Sequence, residues 1–242
     1  MKSNSRQTIV TPTSLLATAW RVLGRLGLVD TIFNHISACL ESSNDGWQLY
    51  INPEGVLPME IAADDIHVLP LRSYTASEAV GLKVNPDGLH LHSAIHCLRM
   101  RPGVIIHTHA PHCLAVGCTE RGLLPLTQTA LEFSGDLQLI DYNGVFRSQS
   151  LTERMESFVV RGGAALLRNH GALIVADTVE EAFYMAYYLE EACKLQVLAL
   201  SQGLPLSGPS DSAIEDAHRA LVSDRARVAP LLFEAFSRTI GN

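Results

Sequence analysis

Apolar positions along the chain recur in two rhythms, one helical and one of strands. Leu15, Leu16, Ala19, Val22 and Leu23 fall three or four residues apart behind a Thr11 cap and Pro12 in the first turn, and Gly27 is placed to end that helix. "TIFNHISACL" and "GWQLYINPEG" read as strands joined by a Ser/Asn/Asp/Gly loop, the polar chemistry of a hairpin. "DDIHVLPL" reads as a further short strand. Leu91, Ile95 and Leu98 in "GLHLHSAIHCLRM" predict a helix, and residues 104–109 after it a buried strand. A second helix opens at Pro111 ("PHCLAVGCTERG"). "LQLIDYNG" predicts a strand, "SLTERMESFVV" a helix with Ser150 and Glu153 in capping-box spacing, and "AALLRNHGALIV" two strand runs broken at Asn-His-Gly. Thr178 and Glu181 open a long helix to Leu200, and a last helix runs from about Ser212 to Phe236.

Several strands follow one another directly, which argues against a strictly alternating parallel sheet and for a sheet covered by helices on both faces. With 242 residues, 47% of them apolar, the chain can bury one sizeable core, and we expect a single domain over 1–242. A net charge of -7 without a long basic cluster argues against a nucleic-acid partner. No run of 18 apolar residues predicts a membrane span, and the N-terminal segment lacks the apolar stretch of a secretory signal. Five cysteines at no ligand spacing read as reduced thiols, so a cytoplasmic location is expected.

The candidate chemistry lies in histidines. In "VIIHTHAPH", His107 and His109 sit two residues apart at a strand end, so both rings project to one face. His170, at the break in "LLRNHGALIV", is the candidate third ligand, and Gly171 lets the backbone turn there; the alternative is a polar hairpin tip that happens to hold a histidine. Three imidazoles with coordination positions left for water or substrate make a catalytic rather than a closed structural site. His67 and His96 read as locally satisfied, His218 as exposed. His112, in the first turn of the Pro111 helix, is not expected to be a ligand, but it could orient one.

The ordered series "NHIS", "INPEG", "LHSAIH", "VIIHTHAPH", "LLRNHGALIV" and "EEAFYMAYYLEEACKLQ", spread over roughly residues 12 to 203, resembles the class II aldolase/adducin family, most closely its adducin-like branch. The resemblance implies an α/β/α sandwich with a mostly antiparallel central sheet, a homotetramer with sites between subunits, and a divalent metal on His107, His109 and His170. Zn2+ is the first choice, with Fe2+ or Mn2+ as alternatives, since imidazole suits them all. Asn34 and Gly55 match the family's phosphate pocket. The departures are as informative. The glutamate that sugar-phosphate aldolases place four residues before the helix histidine falls here on Gly88, counting from His92. Glu54 stands where a small hydroxyl residue is expected, and Pro86 and Asp87 replace a serine pair. Carboxylates facing a phosphate dianion repel it, so the expected substrate is a non-phosphorylated small carbonyl compound.

The leading expectation is therefore a metal-dependent carbon–carbon lyase, aldol or decarboxylating, with His35 or His92 moving protons in place of the missing glutamate. A non-heme iron(II) oxygenase on the same scaffold is one alternative. A non-catalytic oligomerising module of the adducin type is another.

Overall fold

A computed structural model describes residues 11–29, 31–141 and 156–240. Seven strands form one sheet in the order β3-β2-β1-β4-β7-β6-β5. They are β1 (His35–Ser42), β2 (Gly46–Ile51), β3 (His67–Pro70), β4 (Gly103–Thr108), β5 (Gln138–Ile140), β6 (Gly163–Leu167) and β7 (Gly171–Ala176). Every neighbouring pair is antiparallel except β5 with β6. The mostly antiparallel sheet under helices agrees with the architecture expected from the sequence.

The helices are α1 (Pro12–Arg25), α2 (Ala76–Leu82), α3 (Pro86–Arg99), α4 (Pro111–Gly117), α5 (Gln128–Leu131), α6 (Glu156–Arg161), α7 (Val179–Ser201) and α8 (Asp211–Ser237). Strand alternation divides the core between two layers. Ile36, Ala38, Val104, Ile106, Ala172 and Ile174 pack with α1, α4, α7 and α8. Ile105, Leu173 and Val175 face the other way, against Leu91 and Ile95 of α3 and Phe158 of α6. Leu49 and Ile51 of β2 close a smaller cluster with Ala79 of α2 and Leu89 of α3.

Most predicted elements appear, with differences at their ends. α3 starts at Pro86 because Asn85 caps it, its side chain accepting from Gly88 N at 2.8 Å. α4 ends at Gly117, well short of the predicted Gly122. α2 was not anticipated: it is only 7 residues long, too short for apolar periodicity to show, and it rests on a Thr75–Glu78 capping box. The Ser150–Glu153 cap and the end of the predicted 137–144 strand lie outside the described residues. His218 is not exposed as expected; its Nδ1 meets Leu131 O at 3.1 Å and its Nε2 the Asp136 carboxylate at 3.2 Å. The cysteines are free, three of them buried. Among the described residues, no helix is long and apolar enough to cross a membrane.

Candidate metal centre

The site forms where the central strands end. β4 is the middle of the sheet, and its register sets His107 opposite His35 of β1 and opposite Leu173 of β7. His109 follows two residues later on the same side, its Nε2 3.1 Å from that of His107. His170 arrives from the β6–β7 turn. Asn169 there is left-handed (φ 58) and Gly171 has φ 154, a conformation that favours glycine. A Cβ on Gly171 would lie 2.2 Å from Thr108 O and 3.2 Å from the His109 ring. Only glycine lets the turn come this close, and so brings the third imidazole to the pair.

Ligand atoms of His107, His109 and His170 lie within 4.8 Å of one another. The rings are 4.9 Å (107–109), 4.9 Å (107–170) and 5.1 Å (109–170) apart at their centroids. The donor set fits a divalent metal. His107 Nδ1 donates to Ala172 O at 3.0 Å, which fixes its tautomer and frees the Nε2 lone pair. Burial, with its histidine neighbours, holds His107 well below the ordinary imidazole range; burial and His109 hold His170 down to about 4. Both rings are therefore neutral, as a ligand must be, at any pH near 7.

The remaining candidates stand around this cluster in different ways. The ring of His35 is tilted against that of His107, centroids 4.8 Å apart. His92, from α3, has both nitrogens engaged inside the protein: Nε2 with His35 Nδ1 at 3.1 Å, Nδ1 with Ser37 Oγ at 2.7 Å. It is fully buried, and one of its two nitrogens meets His35. Asn34 is buried, and its Oδ1 accepts from His109 N at 3.5 Å. Asp87 is close enough to couple electrostatically to His170. Glu54 and Gly55 are exposed, on a turn tied to the segment before α3 through Glu54 N and Lys83 O at 2.8 Å. His112 orients no ligand ring by its Nδ1, which bonds the buried Glu190 carboxylate of α7 at 2.6 Å.

Two features escaped sequence reasoning. Asn52 is buried and holds the start of β1, accepting from Ile36 N at 2.9 Å; the "INPEG" string was its only signal. Gly88 reads in the sequence as a lost carboxylate. In space its missing side chain is room for another residue: a Cβ there would lie 2.5 Å from His35 Cδ2 and 2.8 Å from its Nε2.

Known proteins fix the family. The Class II Aldolase and Adducin N-terminal domain matches residues 14–197. The chain belongs to the class II aldolase/adducin family. A Pseudomonas aeruginosa protein whose name places it among class 2 aldolases is 32% identical over 191 residues, 79% of this chain and 72% of that one. Alpha-adducin of Mus musculus is 30% identical over 222 residues, 89% of this chain but 29% of the adducin. Among solved structures, an aldolase II superfamily protein from Pseudomonas syringae superposes with TM-score 0.81 at 29% identity, covering 96% of each chain. An L-fuculose 1-phosphate aldolase from Glaciozyma antarctica gives TM-score 0.76 at 20% identity, covering 94% of this chain and 87% of that one; it attests the fold alone. This class II aldolase/adducin domain thus has relatives of both names.

Proposed function

We propose that this chain is a metal-dependent carbon–carbon lyase acting on a non-phosphorylated hydroxy-carbonyl compound or α-keto acid. The observation that carries the reading is the convergence of three half-buried or buried imidazoles, from a strand end and a distant turn, with ligand atoms within 4.8 Å. A divalent ion held there would supply Lewis acidity to a carbonyl oxygen. The chain's own residues do the rest. Ala172 O orients His107, and Asn34 fixes the backbone at His109. Asp87 brings negative charge to His170, and with Glu54 on the family's pocket segment it would repel a phosphate dianion and tolerate an uncharged substrate tail. No side chain at 88 can act as base, so proton abstraction falls to solvent, with His35 or His92 in place to hold or pass a proton. Oligomerisation fits the exposed Leu195, Leu198 and Leu200 on α7 with Leu204 and Leu206 beyond it, and a tetramer is the assembly we propose.

The similarity to alpha-adducin over 222 residues supports a second reading, a non-catalytic oligomerising module. One experiment separates the two. The protein is purified without added metal, analysed for zinc, iron and manganese, and assayed against a panel of α-keto acids and hydroxy-aldehydes before and after chelation. A lyase holds about one metal per chain and loses carbon–carbon cleavage on chelation. Protein that takes up none of these ions overturns the proposal, and oxygen consumption coupled to turnover would replace it with an oxygenase.

A further inference from the structure

The arrangement around Ser37 decides how His35 meets the site. Successive residues on one face of β1, His35 and Ser37, lie under successive turns of α3 carrying Gly88, His92 and His96. The result is a buried hydrogen-bonded chain: His35 Nδ1 to His92 Nε2 at 3.1 Å, His92 Nδ1 to Ser37 Oγ at 2.7 Å, and Ser37 Oγ to His96 Nε2 at 2.9 Å. Burial holds His92 and His96 below the ordinary imidazole range, His96 down to about 3, so each carries one N–H, and the geometry of their bonds then sets which nitrogen of His35 is protonated. A hydroxyl has one hydrogen and cannot donate to both rings.

Two arrangements satisfy the chain. If Ser37 donates to His96 Nε2, then His96 is protonated on Nδ1, His92 donates from Nδ1 to Ser37, His35 donates from Nδ1 to His92, and His35 Nε2 is a bare lone pair. If Ser37 donates to His92 Nδ1, every proton moves to the other nitrogen. His96 then donates from Nε2, His92 from Nε2 to His35 Nδ1, and His35 carries its proton on Nε2.

The far end of the chain chooses between them. His96 Nδ1 is buried without a hydrogen-bond partner. A buried orphan N–H is rarer than an orphan acceptor. Arg99, one turn along α3, opposes charging of the His96 ring, so that ring keeps a single proton. The second arrangement wins.

We propose that Ser37 and His92 are positioning residues that lock His35 in the Nε2–H tautomer, so that it offers a hydrogen-bond donor to a substrate oxygen and is neither a fourth metal ligand nor a resting base. Nε2 lies across the ring from the nitrogen bonded to His92, and His107, His109 and His170 are near enough to couple to the ring. A preorganised donor beside the three imidazoles is suited to a carbonyl or developing oxyanion. The inference narrows the role of His35 within the proposed function, yet the tautomer is read on metal-free protein, so its failure is separable from a failure of the lyase reading.

The test is nitrogen NMR of 15N-histidine-labelled, metal-free protein near pH 7.5. His35 Nε2 should show the shift of a protonated ring nitrogen, and Nδ1 that of a bare one. Zinc should then move ring-nitrogen signals of His107, His109 and His170 and leave His35 Nε2 protonated. Ser37→Ala should mix the His35 tautomers, while Ser37→Thr, which keeps the hydroxyl, should restore one. A bare Nε2 on His35 in the unsubstituted protein, or its deprotonation on zinc addition, overturns the proposal even if the variants fail to fold. An unchanged single tautomer in folded Ser37→Ala overturns the role of Ser37.

Discussion

Gly88→Ala is the sharpest probe of the packing around His35. The position lies in the first turn of α3, with helical geometry, where alanine is intrinsically better than glycine by up to about 1 kcal/mol. The added methyl, however, would sit 2.5 Å from a ring carbon of His35. To regain ordinary contact the ring must withdraw by about 0.9 Å, and it is boxed in by His92 and His107. Overpacking of this kind costs roughly 1–3 kcal/mol. Stretching the 3.1 Å bond to His92 past its useful range costs about 1 more. In the natural background the substitution should therefore destabilise by roughly 2 kcal/mol, a loss of about 4–8 °C in Tm for a chain of this size. In a His35→Ala background the obstacle is gone, and the same change should stabilise by roughly 0.5–1 kcal/mol. The assay is urea unfolding of the four proteins of the cycle, with chelator present throughout. A coupling below about 0.5 kcal/mol would show the two residues to be independent and refute the steric argument.

Single alanine replacements of His107, His109 and His170 should each abolish metal retention and turnover together, while His112→Ala should keep the metal; elemental analysis after desalting reads both. Metal-free protein should lose stability steeply in acid. The buried imidazoles have depressed pKa values, so below about pH 6.5 the unfolded chain takes up protons that the folded chain refuses, at about 1.4 kcal/mol per pH unit for each such ring. For His96 this contribution is present above 6.5 and drains away as pH falls toward about 3. Unfolding midpoints in urea at pH 7.5, 6.0 and 5.0 measure the slope, and a flat profile would contradict it. Ketose 1-phosphates should be turned over far more slowly than the ~10 per second typical of enzymes, and Glu54→Ser with Asp87→Ser should raise their binding. Light scattering at micromolar concentration should give a tetramer; a monomer would contradict the assembly.

Strand alternation alone placed His107 and His109 side by side, because a period of two is a local property of β4. His170 was harder to read: the Asn-His-Gly break made it a candidate, but nothing near position 170 states which strand end its turn will touch, and the family resemblance favoured the ligand reading over a polar hairpin tip. The chain from His35 to His96 was illegible for a stronger reason. It depends on how α3 crosses β1, and neither segment encodes that crossing by itself. Gly88 was legible only as an absent carboxylate, because a sequence shows a missing side chain but not the ring that occupies its volume. α2 was missed because its length gives periodicity no room to appear.

β4 carries opposite chemistry on its two faces, and that has a consequence for how the chain finds its pairing. Val104 and Ile106 belong to one packed layer, Ile105 and His107 to the other. A slip of one residue against β1 and β7 would turn every side chain over. His107 and its neighbour at 109 would then be driven into the apolar layer under α1 and α7, at about 1–3 kcal/mol for each polar group left unbonded. The correct pairing has no such cost, since Ala172 O receives the His107 proton only when His107 lies opposite Leu173. The ligand strand thus penalises a slipped register. Replacing those histidines with apolar residues would therefore remove a discriminator between native and slipped sheets as well as a metal site, and refolding of such variants should branch into misregistered species.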